Sequence, residues 1–259
     1  MSASPRQAII LAAGLGTRLR PLTNFVPKPI LPVGGVPILL FNLFLLKRAG
    51  VREITVNLHH RPEKIRRLLG SGRSLGLKLR YSLEPQILGT AGGIAKALAG
   101  MRRESVFVLN GDIIMDLDLA ALAALHRRSR ALATLACIPQ DRARVKSFVE
   151  YDAKGRIFRI AGEPPQIKTP RLTAAIFSGI HLLEPELFAG YPPDTFACVI
   201  RQIYQPALAR GKRLQAYRHR GSWWDLGSLE ELQRIDRALW ERKLPRPVLR
   251  LWEEVQRWA

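Results

Sequence analysis

Apolar and polar positions along the chain alternate between two periods. Residues 8–13 are a short uncharged apolar run, the pattern of a strand inside a sheet covered on both faces. Pro37 can open a helix that runs to residue 49, where Gly50 ends it. A strand at 53–58, a helix at 63–69 and a third strand at 78–83 follow. The spacing then predicts a helix over 90–98, a buried strand over 106–109, a helix over 119–128 and a strand over 132–138. Strand and helix in strict alternation predict right-handed βαβ units around a parallel sheet.

After about residue 140 the pattern changes. Residues 147–151 and 156–160 read as a β-hairpin whose turn is Asp152-Ala153-Lys154-Gly155. A proline-rich loop, Glu163-Pro164-Pro165, leads to a strand at 175–183, a helix at 195–209, a strand at 214–217 and a helix at 229–239. Leu251, Val255 and Trp258 recur at helical spacing in the tail. No fixed-period repeat is visible. The fold class read from this is a three-layer, Rossmann-like α/β domain with a mostly parallel central sheet and a smaller β-rich part. Residues 1–259 are one domain in this reading, with a first part to about 140 and a second part over 141–259.

Composition narrows the class. With 259 residues, 47% of them hydrophobic, the chain can bury a full core. Its longest apolar stretch, 36–46, is too short for a membrane span and reads as a buried helix. The opening MSASPRQ lacks the apolar core of a signal peptide, so a cytoplasmic location is expected. Cys137 and Cys198 lie in apolar or helical surroundings without a C-x-x-C, which reads as two inert buried thiols. The net charge is +20, from 41 basic and 21 acidic residues, yet pairs such as Arg66-Arg67, Arg102-Arg103 and Arg127-Arg128 are spread over several helices. Solvated helix faces explain that spread better than a nucleic-acid surface, which would gather charge and aromatic residues on one face. Neither nucleic acid nor membrane insertion is expected; binding to an anionic membrane surface is an alternative reading of the charge. A general positive field steers anionic nucleotides.

Candidate chemistry begins where the first strand ends. Gly14 and Gly16 let the backbone take positive φ and approach a ligand, and Thr17, Arg18 and Arg20 add a hydroxyl and two guanidinium forks. Lys28 stands between Pro27 and Pro29, which restrict the backbone around it. The run lacks the third glycine of a dinucleotide fingerprint and the G-K-[ST] of a P-loop. Asn110-Gly111-Asp112 follows the apolar strand at 106–109, at the edge where open α/β sheets hold ligands. In Gly221-Ser222-Trp223-Trp224-Asp225-Leu226-Gly227-Ser228 an aspartate sits between glycines, and Ser228 can cap the helix that carries Glu230 and Glu231. The histidines, five in all, form neither a metal cluster nor a triad by spacing, and no G-x-S-x-G is present.

From Leu11 to Pro29 the chain resembles, without a gap, the signature L-A-[AG]-G-x-G-T-R-L-x-P-L-T-x-x-x-P-K-P of the sugar-1-phosphate nucleotidyltransferases. The resemblance extends to N-G-D, the family's first metal aspartate, and to G-x-W-x-D-x-G-[ST], its second, although Ser228 replaces the commoner threonine. It implies Asp112 and Asp225 as ligands of Mg2+, which needs oxygen donors and keeps several waters. It implies Leu11, Ala12, Ala13, Gly14, Gly16, Thr17, Arg18 and Lys28, with Asn110, Gly111 and Asp112, as the nucleotide side. Arg18, Lys28, Asp112 and Asp225 are the catalytic set in this reading.

Glu84-Pro85-Gln86-Ile87-Leu88-Gly89-Thr90-Ala91-Gly92-Gly93 is similar to the family's base-recognition segment, which adds Glu84, Gly89, Thr90 and Ala91. A carboxylate offers only acceptors, which suits the two adjacent N–H donors of guanine. For the sugar phosphate, Glu163-Pro164-Pro165 stands where many members carry E-K-P, so Lys168 is the substitute candidate. Phe177-Ser178-Gly179-Ile180 matches the segment [NS]-[AST]-G-I, adding Ser178 and Gly179. The serine and the missing lysine resemble short uridylyltransferases acting on N-acetylmuramate 1-phosphate. The hexapeptide repeats of an acyltransferase domain are absent.

The resemblance therefore implies transfer from GTP or UTP to a sugar 1-phosphate, mannose 1-phosphate first, in cell-envelope polysaccharide supply. The alternative of another class is a nucleotide-sensing module without turnover. Either a monomer or a homo-oligomer fits.

Overall fold

The structure, a computed structural model, describes residues 5–139, 148–164 and 171–259. Its strands in chain order are β1 (Gln7–Leu11), β2 (Pro32–Val33), β3 (Val36–Pro37), β4 (Glu53–Leu58), β5 (Lys78–Leu83), β6 (Val106–Asn110) and β7 (Ile113–Met115). There follow β8 (Ala133–Pro139), β9 (Val149–Tyr151), β10 (Ile157–Ile160), β11 (Thr173–Leu183), β12 (Leu214–Arg218) and β13 (Trp223–Asp225). The α-helices are α1 (Leu22–Phe25), α2 (Ile38–Arg48), α3 (Pro62–Leu69), α4 (Gly89–Leu98), α5 (Leu119–Ser129), α6 (Gln205–Ala209), α7 (Leu229–Trp240) and α8 (Arg246–Gln256). Contacts divide the chain into two compact bodies. The first holds Arg6–Ile87, Leu109–Leu117 and Gly221–Ala259, and the second holds Leu88–Val108 and Asp118–Arg220.

The first body carries the parallel sheet that the alternation predicts. β1 pairs with β4 and β4 with β5, all parallel, and the register aligns Leu11, Asn57 and Ser82 at their carboxyl ends. Ala8, Ile9 and Ile10 are fully buried, which is why the run carries no charge. The residues that follow each of these strands thus leave the same edge, the one at which α/β sheets bind ligands. Helix α2 is buried from Ile38 to Leu46, so it is apolar all round rather than amphipathic. Its one buried polar side chain, Asn42, donates to the carbonyl of Asn110 at 3.4 Å.

Several short elements of this body, β2 and β3 among them, have no counterpart in the sequence reading. β2 and β3 form a two-residue hairpin, and the C-terminal helices hold its turn. Asp236 on α7 accepts from Gly34 N–H at 2.7 Å, and Trp252 on α8 donates to Gly34 O at 2.8 Å. Gly34 has φ +59, and a Cβ there would lie 2.5 Å from the Trp252 ring, so only glycine fits. The tail helix expected from its spacing is α8, with Leu251 and Val255 buried.

In the second body β8 pairs antiparallel with β11 and parallel with β12, while β9 and β10 form the expected hairpin and β9 joins β11. The Asp152–Gly155 turn is closed by Asp152, whose carboxylate accepts from the amides of Lys154 and Arg156. The helix expected over 195–209 begins later, as a π-helical turn over Val199–Tyr204 continued by α6. The backbone before it is committed elsewhere: Ala197 O accepts from Ala91 N–H and Ala197 N–H donates to Leu88 O, at 2.8 and 2.9 Å.

A buried polar network links three elements of this body. His126 on α5 bonds Thr134 Oγ1 at 2.8 Å and Glu184 Oε1 at 2.9 Å, and Ser105 donates to the same carboxylate at 2.6 Å. The His126 bond chiefly holds the Glu184 carboxyl below its ordinary 4.5, against the opposing effect of burial. A carboxylate whose folded value is depressed adds stability above its unfolded value and loses it as pH falls through the folded one. The melting temperature should therefore drop on acidification below 4.5, and Glu184→Gln should flatten that acid limb of the melting profile. Among the described residues no helix is long and apolar enough to cross a membrane.

Candidate nucleotide and metal site

Asp112 and Asp225 lie 113 positions apart in sequence and are brought together by a strand pair. β7 and β13 run antiparallel with Asp225 opposite Ile113, Trp224 opposite Ile114 and Trp223 opposite Met115. One residue beyond the ladder, Leu226 N–H donates to Asp112 O at 3.1 Å. At the other end Asp116 accepts from Ser222 N–H at 2.7 Å. Gly111 packs against the end of β1, donating to Leu11 O at 2.8 Å; a Cβ on it would meet that oxygen at 2.9 Å. Glycine at 111 is thus a requirement of space. It fixes the step from β6 to Asp112.

Lys28 stands between the two carboxylates. It is only 7% exposed, forms an ion pair with Asp112 Oδ2, and has Asp225 Oδ1 at 3.9 Å. Pro27 precedes a 3-10 turn over Lys28–Ile30, closed by Leu31 N–H to Lys28 O at 3.1 Å, so the lysine stem leaves a rigid corner. Burial raises the Asp225 carboxyl, and the Asp112 charge raises it further; Lys28 and then Arg18 pull it down. Two acids repelling each other across a partly shielded gap form a place where added positive charge is favourable.

That geometry fits a magnesium ion. The donors are the two carboxylates alone, and among the described residues no group of three or more His, Cys, Asp or Glu side chains is arranged to hold a metal ion. Two carboxylates leave the remaining positions of an octahedral ion to water and phosphate oxygens, as Mg2+ requires.

The glycine loop closes over the same lysine. Gly16 has φ +63; a Cβ on it would lie 2.9 Å from Thr23 Cγ2 and 3.0 Å from Lys28 Cβ. Thr23 donates to Gly16 O at 2.9 Å. Around Gly14 there is open space within 4 Å, so its backbone is approachable. Thr17 and Arg18 lie on a 3-10 turn over Thr17–Leu19. The Arg18 guanidinium lies against Gly227, where a Cβ would meet Nη1 and Nη2 at 2.6 Å. The second glycine of the Gly221–Ser228 stretch thereby makes room for an arginine of the first motif. Ser228 caps α7 as expected, accepting from Glu231 N–H at 3.2 Å.

Glu84, just beyond β5, is buried. It is 3% exposed, and Asn57 Nδ2 donates to its Oε1 at 2.7 Å. Asn57 Oδ1 in turn accepts from Ala12 N–H at 2.6 Å. The sequence reading passed over Asn57; its signal was an amide inside the otherwise apolar end of the strand EITVNL. His59 and His60, uninformative by spacing, anchor neighbouring loops. His59 Nδ1 bonds Glu84 O at 2.7 Å and His60 Nε2 bonds Thr23 O at 2.8 Å.

Leu11, Ala12, Ala13, Gly14, Gly16, Thr17, Arg18, Lys28, Glu84, Asn110, Gly111, Asp112 and Asp225 all belong to the first body. Gly89, Thr90, Ala91, Glu163, Ser178 and Gly179 belong to the second. There, Thr90 Oγ1 accepts from Val199 N–H at 2.8 Å, and a Cβ on Gly89 would lie 2.5 Å from Ala197 O. Ser178 and Gly179 sit in the bulge of β11 between Phe177 and His181, with Gly179 at φ +85 and Ser178 buried. Below that bulge His181 bonds Tyr204 at 2.6 Å, and burial lowers its pKa to about 3, so it is a neutral core histidine. Glu163 exchanges backbone bonds with Ile160, and Lys168 and Pro165 lie outside the described residues. Cys137 is buried and its thiol is pushed up by desolvation, whereas Cys198 is only half-buried.

Residues 7–242 match the nucleotidyl transferase family. The chain belongs to that family. It is 32% identical over 244 residues to a mannose-1-phosphate guanylyltransferase of Mycobacterium tuberculosis, covering 94% of this chain and 67% of that protein. It is 33% identical over 231 residues to the N-acetylmuramate alpha-1-phosphate uridylyltransferase of Neisseria meningitidis serogroup B, covering 88% and 95%. In fold it is similar to HddC from Yersinia pseudotuberculosis, solved with GMP-PN, with a TM-score of 0.72, 22% identity, and 90% and 99% of the two chains covered. The α/β nucleotidyl transferase fold expected from the motifs is therefore the fold of this enzyme family. Within it, the paired aspartates, Lys28 and the glycine loop of this nucleotidyl transferase occupy one body, built from three separate stretches of chain.

Proposed function

We propose that the chain is a magnesium-dependent sugar-1-phosphate nucleotidyltransferase, with GTP and mannose 1-phosphate as the first-choice pair. The observation that carries this reading is Lys28 held between Asp112 and Asp225 beside the glycine loop. A phosphate oxygen of the sugar 1-phosphate attacks the α-phosphorus of the nucleotide in line. The new P–O bond forms as the bond to the β-phosphate oxygen breaks, and pyrophosphate departs with that electron pair. The enzyme supplies no nucleophile; it supplies position and charge.

Asp112 and Asp225 would hold magnesium, which when bound neutralises phosphate charge. Arg18 and the amides of the glycine loop bind the departing pyrophosphate, and Lys28 offsets charge at the α-phosphate. Glu84 accepts hydrogen bonds from the base, Asn57 holding it in place. Ser178, Gly179, Glu163 and Lys168 serve the sugar phosphate. In this reading the enzyme is cytoplasmic and single-domain, as a monomer or a homo-oligomer.

A second reading, UTP with N-acetylmuramate 1-phosphate, draws support from the 95% coverage of the meningococcal relative and from Pro164 where many members carry lysine. Pyrophosphate release from four NTPs against a panel of sugar 1-phosphates tests both. GTP with mannose 1-phosphate should lead, and Glu84→Gln should narrow its margin over UTP by roughly 1–3 kcal/mol, the cost of an unpaired buried polar group. A strong wild-type preference for UTP would overturn the guanine assignment and favour the second pair; binding of NTP without turnover of any of the four would favour a nucleotide sensor.

Gly227→Ala tests the role given to Arg18. Its Cβ would push the flexible end of Arg18 aside at little cost to the fold, so the melting temperature should hardly change while turnover falls roughly tenfold or more, the cost of a misplaced group. Arg18→Ala added to that variant should then lower turnover little further, because both changes act on one interaction.

A further inference from the structure

We infer that Asn57 is a positioning residue for base selection, coupling the glycine loop to the carboxylate of Glu84; the inference rests on the nucleotidyltransferase reading and assigns a residue within it. Asn57 lies at the carboxyl end of β4, flanked in the sheet by Leu11 of β1 and Ser82 of β5. It is 2% exposed among Ile54, Val56 and Leu58, which are buried as well. A polar side chain in such a position is costly unless both ends of its amide are used. Both are: Oδ1 takes Ala12 N–H at 2.6 Å, and Nδ2 gives to Glu84 Oε1 at 2.7 Å.

The two partners have different duties. Ala12 begins the turn that carries Gly14, Gly16 and Arg18, whereas Glu84 begins the segment matched to base recognition. One planar amide therefore sets the separation between the loop that holds phosphates and the carboxylate that meets the base. The main chain around Glu84 is held as well, by its own N–H to Leu58 O at 2.8 Å and by His59 on its carbonyl. The Asn57 bond acts on the side chain, where discrimination resides. Among residues of the same size and shape, leucine would cap neither partner, and aspartate could accept from Ala12 but would face Glu84 with a second negative charge.

This asymmetry makes Asn57→Asp the informative variant, since it keeps the bond to Ala12 and replaces the amide donor facing Glu84 with a second acid, so that the two carboxyls must repel each other or share a proton. Calorimetric titration with GTP, UTP and inorganic pyrophosphate separates the two functions without requiring turnover. Asn57→Asp should weaken binding of the preferred NTP roughly tenfold or more and compress the GTP-to-UTP ratio, while pyrophosphate, which has no base, binds as before within about twofold. Asn57→Asp combined with Glu84→Gln restores a donor–acceptor pair of reversed polarity. The double variant should regain the melting temperature of the wild type and NTP affinity, but not its base preference. It also serves if the single variant folds poorly.

Equal losses for NTP and pyrophosphate would mean that Asn57 merely holds the fold, and an unchanged base ratio in both variants would overturn the inference. A separate turnover assay on the wild type judges the enzymatic reading. Its failure there, with NTP binding still altered selectively by Asn57→Asp, would remove the reaction and leave the base-positioning role.

Discussion

Asp112→Asn is expected to abolish magnesium-dependent pyrophosphate release while leaving a folded protein. The substitution keeps the size of the side chain, and its backbone, through Asp112 O to Leu226 N–H, still joins the two metal-side segments. What changes is charge. An amide oxygen is a poor ligand for a hard cation that has only one other protein carboxylate, so the site would lose half of its anionic donors. Lys28 would keep Asp225, 3.9 Å away, as the remaining carboxylate of the pair, and its buried ammonium would compete with the incoming ion for that acid. Turnover should fall by roughly three orders of magnitude or more, as expected when several kcal/mol of charge stabilisation are removed. Pyrophosphate release titrated with magnesium, beside a melting curve, checks it. Activity unchanged at low magnesium would remove Asp112 from the metal site; Asp225→Asn is expected to behave alike.

Which parts of this arrangement were legible in the sequence depends on whether a residue's role is local. Lys28 is aimed by the prolines on either side of it, and Gly16 by its own positive φ, so both could be read from neighbours in the chain. The long strands and helices of the parallel sheet follow from periodicity, which is also local. β7 and β13 carry three residues each, too few for a period, and their pairing joins segments separated by more than a hundred positions. The motifs named Asp112 and Asp225; only the strand pair explains why they meet.

Glu84 illustrates the opposite case. Its residue type predicted an acceptor, but its depth is set by Asn57 on another strand, a contact that no local pattern encodes. The same holds for Gly227, whose missing Cβ leaves room for the guanidinium of an arginine some two hundred positions earlier. The helix start at Val199 rather than 195 has a similar origin, since tertiary bonds from Leu88 and Ala91 claim the backbone of Ala197 and override helix propensity.

Lys28→Ala is the second substitution with a large expected effect, and it should act on kcat far more than on nucleotide affinity. In the resting protein the ammonium is already opposed by Asp112 and lies close to Asp225, so its net attraction for an approaching triphosphate is small. Arg18 and the loop amides remain to bind phosphates in the variant. The lysine contributes most when negative charge grows on the transferred phosphoryl group, in a position it reaches without reorganisation because it is buried on a rigid turn. An interaction realised only as the transition state forms lowers kcat when removed, whereas one made equally to the ground state raises KM. Turnover should therefore fall on the order of a hundredfold or more, with the dissociation constant for the preferred NTP changed only a few-fold. Lys28→Arg should recover little, because the broader guanidinium would have to enter the buried gap between Asp112 and Asp225 that the lysine ammonium fills. Steady-state kinetics paired with calorimetric NTP binding distinguish the outcomes. A variant that binds NTP a hundredfold more weakly yet turns over normally at saturation would make Lys28 a ground-state phosphate ligand, and the charge at the α-phosphate would then have to be met by Arg18 and the magnesium held by the two aspartates.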